Sequence, residues 1–262
     1  MLSPEQITAR HGKLTASRVA VLMNGDARGV LRLWQELTDD PAFVPEDLSR
    51  IWPVQLGTAT EQLQLDWFEQ KNRLPVIQRG YVIVHEDYPW AACTLDGWCM
   101  EYPLEVKHVG GREPLEVIVE RYQPQMQWQM FVTGAKQCAL SVIMGASEPI
   151  VEYIERDEDY IAEMVKRGEQ FMTFVEKRIQ PVALPPVAAP IVAAAEYDMG
   201  ELPQWQAAAD QWKQTYGAAQ SAKDAERILK NLVPEDAKKC FGAGVRITRD
   251  RVGRLSLREE TE

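Results

Sequence analysis

An α/β fold, with a mixed β-sheet flanked by helices, is the architecture this 262-residue sequence predicts. Three observations point to it. Short β-rich runs cluster between residues 80 and 109 and again between 138 and 155; a helical segment lies between the two clusters; longer helical patterns bracket both.

Each element has a local reason. "TASRVAVLMN" at 15–24 reads as a short helix with Thr15 at its N-cap, and the preceding "ARHGK" makes that helix start basic, an anion site beside Arg10 and Lys13. "QLGTATEQLQLDWFEQK" at 55–71 is a second helix, apolar at Leu63, Trp67 and Phe68, with Glu61 inside it. The runs "GYVIVH", "WAACTLDG" and "PLEVKHV" follow as strands. Pro124 can open a helix through "QMQWQMFVT", and Gly134 can close it. "CALSVIMG" and "PIVEYIE" are two more strands, and a long helix runs from about Asp157 to Ile179. Residues 1–181 are therefore expected to form one α/β domain, and the Ala/Pro-rich stretch 182–195 a linker or extended strap. Residues 196–262 form a C-terminal extension: Trp205, Ala209, Trp212, Tyr216 and Ala219 recur at helical spacing, "AKDAERILKNL" gives a second helix, and "GVRITRDRVGRLSL" alternates like a hairpin. The Trp-rich helix reads as a core or subunit-packing surface.

Composition narrows the function. No apolar run is long enough for a bilayer span and the N-terminus lacks a signal pattern, so a cytoplasmic protein with no membrane contact is expected. Four scattered cysteines without a C-x-x-C fit reduced thiols rather than a zinc module. The net charge of −10 argues against a passive, charge-driven nucleic-acid binder. It sits almost wholly in the first 181 residues, which carry 18 Lys+Arg against 27 Asp+Glu.

The most informative stretch is "LDGWCMEYPLEVK" at 95–107. Side chains two apart on a strand share a face, so Glu105 and Lys107 point one way while Leu104 and Val106 point into an apolar layer. Asp96 closes the preceding strand run, and a turn at "MEYP" brings it near Glu105. Two carboxylates held together repel, and a shared hard cation, Mg²⁺ or Mn²⁺, relieves this. Such an ion activates water and neutralises charge on a phosphoryl oxygen, while a neighbouring lysine orients that water or stabilises the developing charge. The bare spacing acid–x–Lys also occurs at Glu69/Lys71 and Asp236/Lys238, and a solvated Glu–Lys pair on a hairpin satisfies the same pattern. His11, His85 and His108 share no ligand spacing; His108 falls on the strand face opposite Lys107 and reads as structural.

"TLDG" followed by "LEVK" resembles the metal site of the PD-(D/E)XK nucleases, with Leu95 where proline is more common. With "RHGKLTAS" at 10–17, "GTATE" at 57–61 and "YQPQMQWQMFVTG" at 122–134 in the same order, residues 8–180 resemble the lambda exonuclease and YqaJ-type viral recombinase nucleases. That resemblance implies a restriction-endonuclease-like core with a mixed central sheet. It implies metal ligation by Asp96, Glu105 and the Val106 carbonyl, with Glu61 on a second metal or its water, and Lys107 working on the attacking water. Tyr122 and Gln125 would lie beside the site; Gln129 shares the helix face of Gln125, and Gln127 does not. Arg10, Ser17 and Thr94 would hold a terminal 5′-phosphate. The implied activity is a Mg²⁺-dependent 5′-to-3′ exonuclease, with Mn²⁺ able to substitute. It would act as a homotrimeric ring on double-stranded DNA ends, leaving 3′ single-stranded tails for a single-strand annealing protein. An endonuclease of the same fold and a non-catalytic DNA-end-binding subunit are the alternatives.

Overall fold

In the computed structural model, residues 4–190 and 198–260 are described, and the chain divides into two compact units between residues 193 and 194. Each contains its own β-sheet.

The first unit opens with α1 (Pro4–Arg10), α2 (Ala16–Asn24), α3 (Ala27–Leu37) and α4 (Trp52–Asn72). Then come β1 (Val82–Val84), β2 (Ala92–Thr94), β3 (Gly97–Cys99) and β4 (Tyr102–Val109). Next are α5 (Leu115–Thr133), β5 (Gln137–Met144), β6 (Ile150–Glu155) and α6 (Glu158–Glu176). The central sheet has the order β3-β4-β5-β6 and is mixed: β4 and β5 run parallel, while the outer pairs are antiparallel. β1 and β2 form a separate antiparallel ribbon. The parallel pair needs a crossover, and α5 supplies it.

Helices cover the central sheet on both faces. Leu65 and Phe68 of α4 pack on Leu104, Val106 and Ala139, while Met126 and Met130 of α5 pack against Cys138, Leu140 and Val142. Alternate β5 residues thus serve opposite layers, as expected for a strand buried on both sides. A third cluster joins α2, α3 and α6 to Trp128 and Phe131 of α5 and to Cys93 and Leu95.

Several expectations are corrected. The run "WAACTLDG" is not one strand: it splits into β2 and β3, which belong to different sheets, with Asp96 in the connection. The turn expected at "MEYP" does pair β3 with β4, and it occupies the first two of those residues, Met100–Glu101, where Met100 adopts a φ of 52°. Pro124 does not open α5 but sits inside it, and the helix starts at Leu115. The ring removes one backbone donor, yet Ile118 and Val119 bury an apolar face upstream that outweighs the lost bond. On α4 the buried apolar face is Leu65 and Phe68, and Leu63 is exposed. α1 and α3 were not expected from the sequence.

The segment after α6 is tied to this unit as far as it is described. Arg167 donates to Leu22 O at 3.1 Å and Pro185 O at 2.8 Å, and Val187 N donates to Met23 O at 2.9 Å. The remainder of the expected linker, residues 191–195, lies outside the described residues.

The second unit contains α7 (Pro203–Asn231), β7 (Lys239–Gly242), β8 (Val245–Arg249) and β9 (Leu255–Glu259). The expected helical pair is one continuous helix: Gly217 is its one glycine, no proline follows the first turn, and Ala218 and Ala219 favour continuation. The hairpin gains a third strand, giving an antiparallel sheet β7-β8-β9. No residue of α7 is buried, so Trp205, Trp212 and Tyr216 do not form a core within this unit. Among the described residues no helix is long and apolar enough to cross a membrane.

Candidate active site

Strand alternation sets the site. Leu104 and Val106 face α4, which leaves Glu105 and Lys107 facing α5. Glu105 is 4% exposed, and its carboxylate is held from two sides: Lys107 Nζ donates to Oε1, and Gln129 Nε2 of α5 donates to Oε2 at 2.5 Å. Asp96 is brought alongside because Leu95 is drawn into the apolar layer next to α2, and Asp96 Oδ2 then accepts the Val106 N–H at 2.9 Å. Lys107 Nζ also lies 5.2 Å from the centre of the Tyr122 ring.

These groups open onto a polar cleft of about 370 Å³. Its lining includes Asp96, Glu105, Lys107, Glu61, Gln125 and Gln129. Arg10, Thr15, Ser17 and Thr94 line it too, so nine of the ten residues singled out by sequence either line this cleft or touch a residue that does through a side chain, and Val106 touches it through its backbone. The Arg10–Ser17 segment is anchored by Leu14, whose N–H donates to Trp90 O at 2.7 Å and whose carbonyl accepts from Ala92 N at 2.9 Å. Arg10 Nη2 reaches the Thr15 hydroxyl at 3.4 Å, and Thr15 Oγ1 stands 3.4 Å from Ser17 Oγ. Arg18 braces this loop from behind through Arg10 O, Lys13 O and Glu36.

Two details differ from expectation. Thr15 occupies the N-cap position, but its hydroxyl makes no capping bond and turns toward Arg10 and Ser17. Lys13 donates to Pro89 O and does not line the cleft, so of the two cations expected at the start of α2 it is Arg10 that does. Gln129 carries the hydrogen bond to Glu105, and Gln125 lines the cleft beside it. Gln127 faces away, donating to Glu155 O at 2.8 Å and accepting from Asp157 N at 2.9 Å. His108 lies on the α4 side, bonded to Thr60 at 3.1 Å and to Gly145 O at 2.8 Å. Sequence reasoning did not find Arg18 or Thr15 in these roles; both are fixed by partners distant from any motif spacing.

The electrostatics disfavour a second negative charge at this site. Burial, reinforced by the Glu105 carboxylate, pushes the Asp96 carboxyl up to about 8 against the pull of Lys107. Burial alone would draw the Lys107 ammonium down, but Glu105 and Asp96 together outweigh it and hold Lys107 above the ordinary lysine range. Lys107 is therefore a fixed positive charge at neutral pH and not a free base. Burial and the nearby Arg18 lower Arg10 somewhat, with Glu36 opposing, and an arginine stays charged regardless.

A hard divalent cation fits this donor set. Two carboxylates converge on a polar cleft, one of them strained by its neighbour's charge, and Thr94 Oγ1 is buried there with no hydrogen-bond partner among the described residues. Among those residues no three His, Cys, Asp or Glu side chains make a ready metal cage. A hard ion of the Mg²⁺ kind takes one or two carboxylates and completes its shell with water and phosphate oxygens.

Residues 7–136 match the family described as the YqaJ-like viral recombinase domain. The structure is similar to that of an alkaline exonuclease from Laribacter hongkongensis, with a TM-score of 0.57 and 23% identity over 68% of this chain and 94% of that one. The same protein solved in complex with dAMP matches with a TM-score of 0.56, also at 23% identity over 68% and 94% of the two chains. A phage-related exonuclease from Haemophilus somnus 129PT matches with a TM-score of 0.50 and 12% identity, over 64% of this chain and 95% of that one. No curated protein matches the sequence. The mixed sheet between helices is thus the restriction-endonuclease-like fold of PD-(D/E)XK exonucleases.

Proposed function

Because residues 7–136 match the YqaJ-like viral recombinase domain, we propose that this enzyme is a metal-dependent exodeoxyribonuclease that digests one strand of linear duplex DNA from 5′-phosphorylated ends, 5′ to 3′. The observation that carries the reading is one cleft lined both by Asp96, Glu105 and Lys107 and by Arg10, Ser17 and Thr94. The first group suits phosphodiester hydrolysis and the second suits a terminal phosphate.

Asp96 and Glu105 would hold a Mg²⁺ ion, for which Mn²⁺ can substitute, with the Val106 carbonyl as a further ligand and Glu61 serving a second ion or its water. When bound, the ion supplies Lewis acidity toward the phosphoryl oxygen and makes a water more acidic. The chain's own groups do the rest. Gln129 and Lys107 fix the rotamer of Glu105, so its carboxylate is preorganised rather than floppy. Lys107, kept as ammonium, stabilises the negative charge that builds as water oxygen bonds to phosphorus and the 3′ oxygen departs. Tyr122, in contact with the lysine chain, limits its swing, and Gln125, which lines the same cleft, can hydrogen-bond the attacking water. Arg10 is the guanidinium for a terminal phosphate, with the Ser17 and Thr94 hydroxyls beside it. An end-directed, one-nucleotide-at-a-time reaction follows if that pocket must be filled before the scissile bond reaches the carboxylates. Its product, a duplex with a 3′ single-stranded tail, is the substrate of a single-strand annealing protein, and a homotrimeric ring around the duplex would keep the enzyme on its substrate.

Polarity is tested with duplexes labelled at either end of one strand. A 5′ label should leave as mononucleotide at once, and a 3′ label should stay on shrinking fragments. The reverse order refutes the 5′-phosphate pocket.

A further inference from the structure

The proposed reaction makes no use of a basic stretch in the second unit. Residues 238–258 contain seven Lys+Arg and a single acid, Asp250, in a chain whose net charge is −10. Asp250 is spent on the β8–β9 turn, where it accepts from Val252 N at 3.0 Å and Arg254 N at 2.8 Å.

The register sorts the sheet into two unlike faces. Cys240, Ile247 and Leu257 lie side by side on one, where Ile247 is buried. On the other, Phe241 pairs with Arg246 and Arg246 with Arg258, while Lys239 pairs with Thr248 and Thr248 with Ser256. This face has two features that folding does not explain. Arg246 and Arg258 stand directly opposite each other, a like-charge cross-strand pair that weakens a sheet. The carboxylate that reaches Arg246 is Glu260, at 3.9 Å. Phe241 is 72% exposed on the edge strand beside Arg246, with Lys239 Nζ 5.2 Å from its ring centre. A sheet face with hydroxyls, guanidinium groups and one uncovered aromatic ring complements a polyanion whose bases are free to stack. Duplex bases are already stacked and offer the ring nothing.

We propose that the outer face of the β7-β8-β9 sheet binds single-stranded DNA, with Phe241 as the stacking platform and Arg246, Arg258 and Lys239 on the phosphates. The inference uses the nuclease reading only for the source of the strand, the 3′ tail that digestion would expose.

The test measures anisotropy of fluorescein-labelled (dT)20 with the full-length chain in EDTA, so that cutting plays no part, across a salt series. Phe241→Ala should weaken binding about 10-fold without altering the salt dependence, and Phe241→Trp should restore it. Arg246→Ala with Arg258→Ala should lower the slope of log K against log salt by about 1.4, the value for two phosphate contacts on a single strand. Blunt 20-base-pair duplex should show no Phe241 effect. Unchanged (dT)20 binding in both variants overturns the proposal. So does an equal Phe241 effect on duplex, or a change of oligomeric mass in light scattering without a change in DNA binding, which would assign the face to another protein chain. Exposure of Phe241 makes its variants safe for folding, which circular dichroism checks. A protein that never cuts yet loses (dT)20 on Phe241→Ala refutes the nuclease reading and leaves this one standing.

Discussion

Asp96→Asn should make the metal-free protein more stable, and only where the pH lets the aspartate ionise. The wild-type carboxyl is pushed up to about 8 in the folded state, against about 3.9 in an unfolded chain. Below about pH 4 it is protonated in both states and contributes nothing. Between about 4 and 8 the unfolded state ionises freely while the folded state resists, so stability is lost as pH rises, and above about 8 the loss is constant. The full difference of about 4 pH units corresponds to about 5–6 kcal/mol at ~1.4 kcal/mol per unit. Asp96 is only half-buried, and solvent screening reduces this to about 2–3 kcal/mol. Asparagine keeps the shape and the acceptor for Val106 N–H, so packing is unchanged. In thermal melts with EDTA, the variant should exceed wild type by about 5–10 °C at pH 8 and match it near pH 4. Adding Mg²⁺ should raise wild type alone. A variant that melts at or below wild type at pH 8, or a gap that ignores pH, refutes the reading of Asp96 as a strained carboxylate awaiting a cation.

Other perturbations separate the parts of the site. Lys107→Ala should bind DNA ends yet cut about 10²–10³-fold more slowly, read by single-turnover assay; near wild-type cutting removes its assigned role. Gln129→Leu leaves the buried Glu105 Oε2 without its donor and should cost about 1–3 kcal/mol of stability in urea melts as well as most activity, whereas Gln127→Leu should leave activity intact. Arg10→Ala should erase the preference for 5′-phosphate over 5′-hydroxyl ends while residual cutting persists, measured as a ratio of rates. Gly25→Ala combines a φ of +67° with a Cβ that would meet Leu184 O at 2.4 Å, so it should destabilise by about 1–3 kcal/mol and make residues near 184 more sensitive to protease.

What was legible in the sequence was what depends on neighbours in the chain. β4 read correctly because the two-residue alternation in "PLEVKHV" reports a buried layer directly, and the same alternation put Glu105 and Lys107 on one face. The Gln125/Gln129 face followed from the i+4 rule, although which glutamine bonds Glu105 depends on the height of α5 above β4, a tertiary quantity. The start of α5 was missed because Pro124 is a strong local signal that a buried upstream face overrides. The break between β2 and β3 was missed because an apolar run hides a change of sheet: Leu95 continues the pattern in sequence while the backbone turns to leave Asp96 in the cleft. Thr15 and Arg18 owe their roles to Arg10 and Glu36, and no spacing encodes that.

The most direct test of the account is the release of mononucleotides from linear duplex DNA with Mg²⁺, comparing 5′-phosphorylated ends, 5′-hydroxyl ends and covalently closed circles, with Asp96→Ala alongside. The account predicts rapid loss of phosphorylated linear DNA, slower loss of hydroxyl ends, intact circles and an inert variant. Cut circles would contradict the end-directed pocket, and equal release by Asp96→Ala would contradict the site itself.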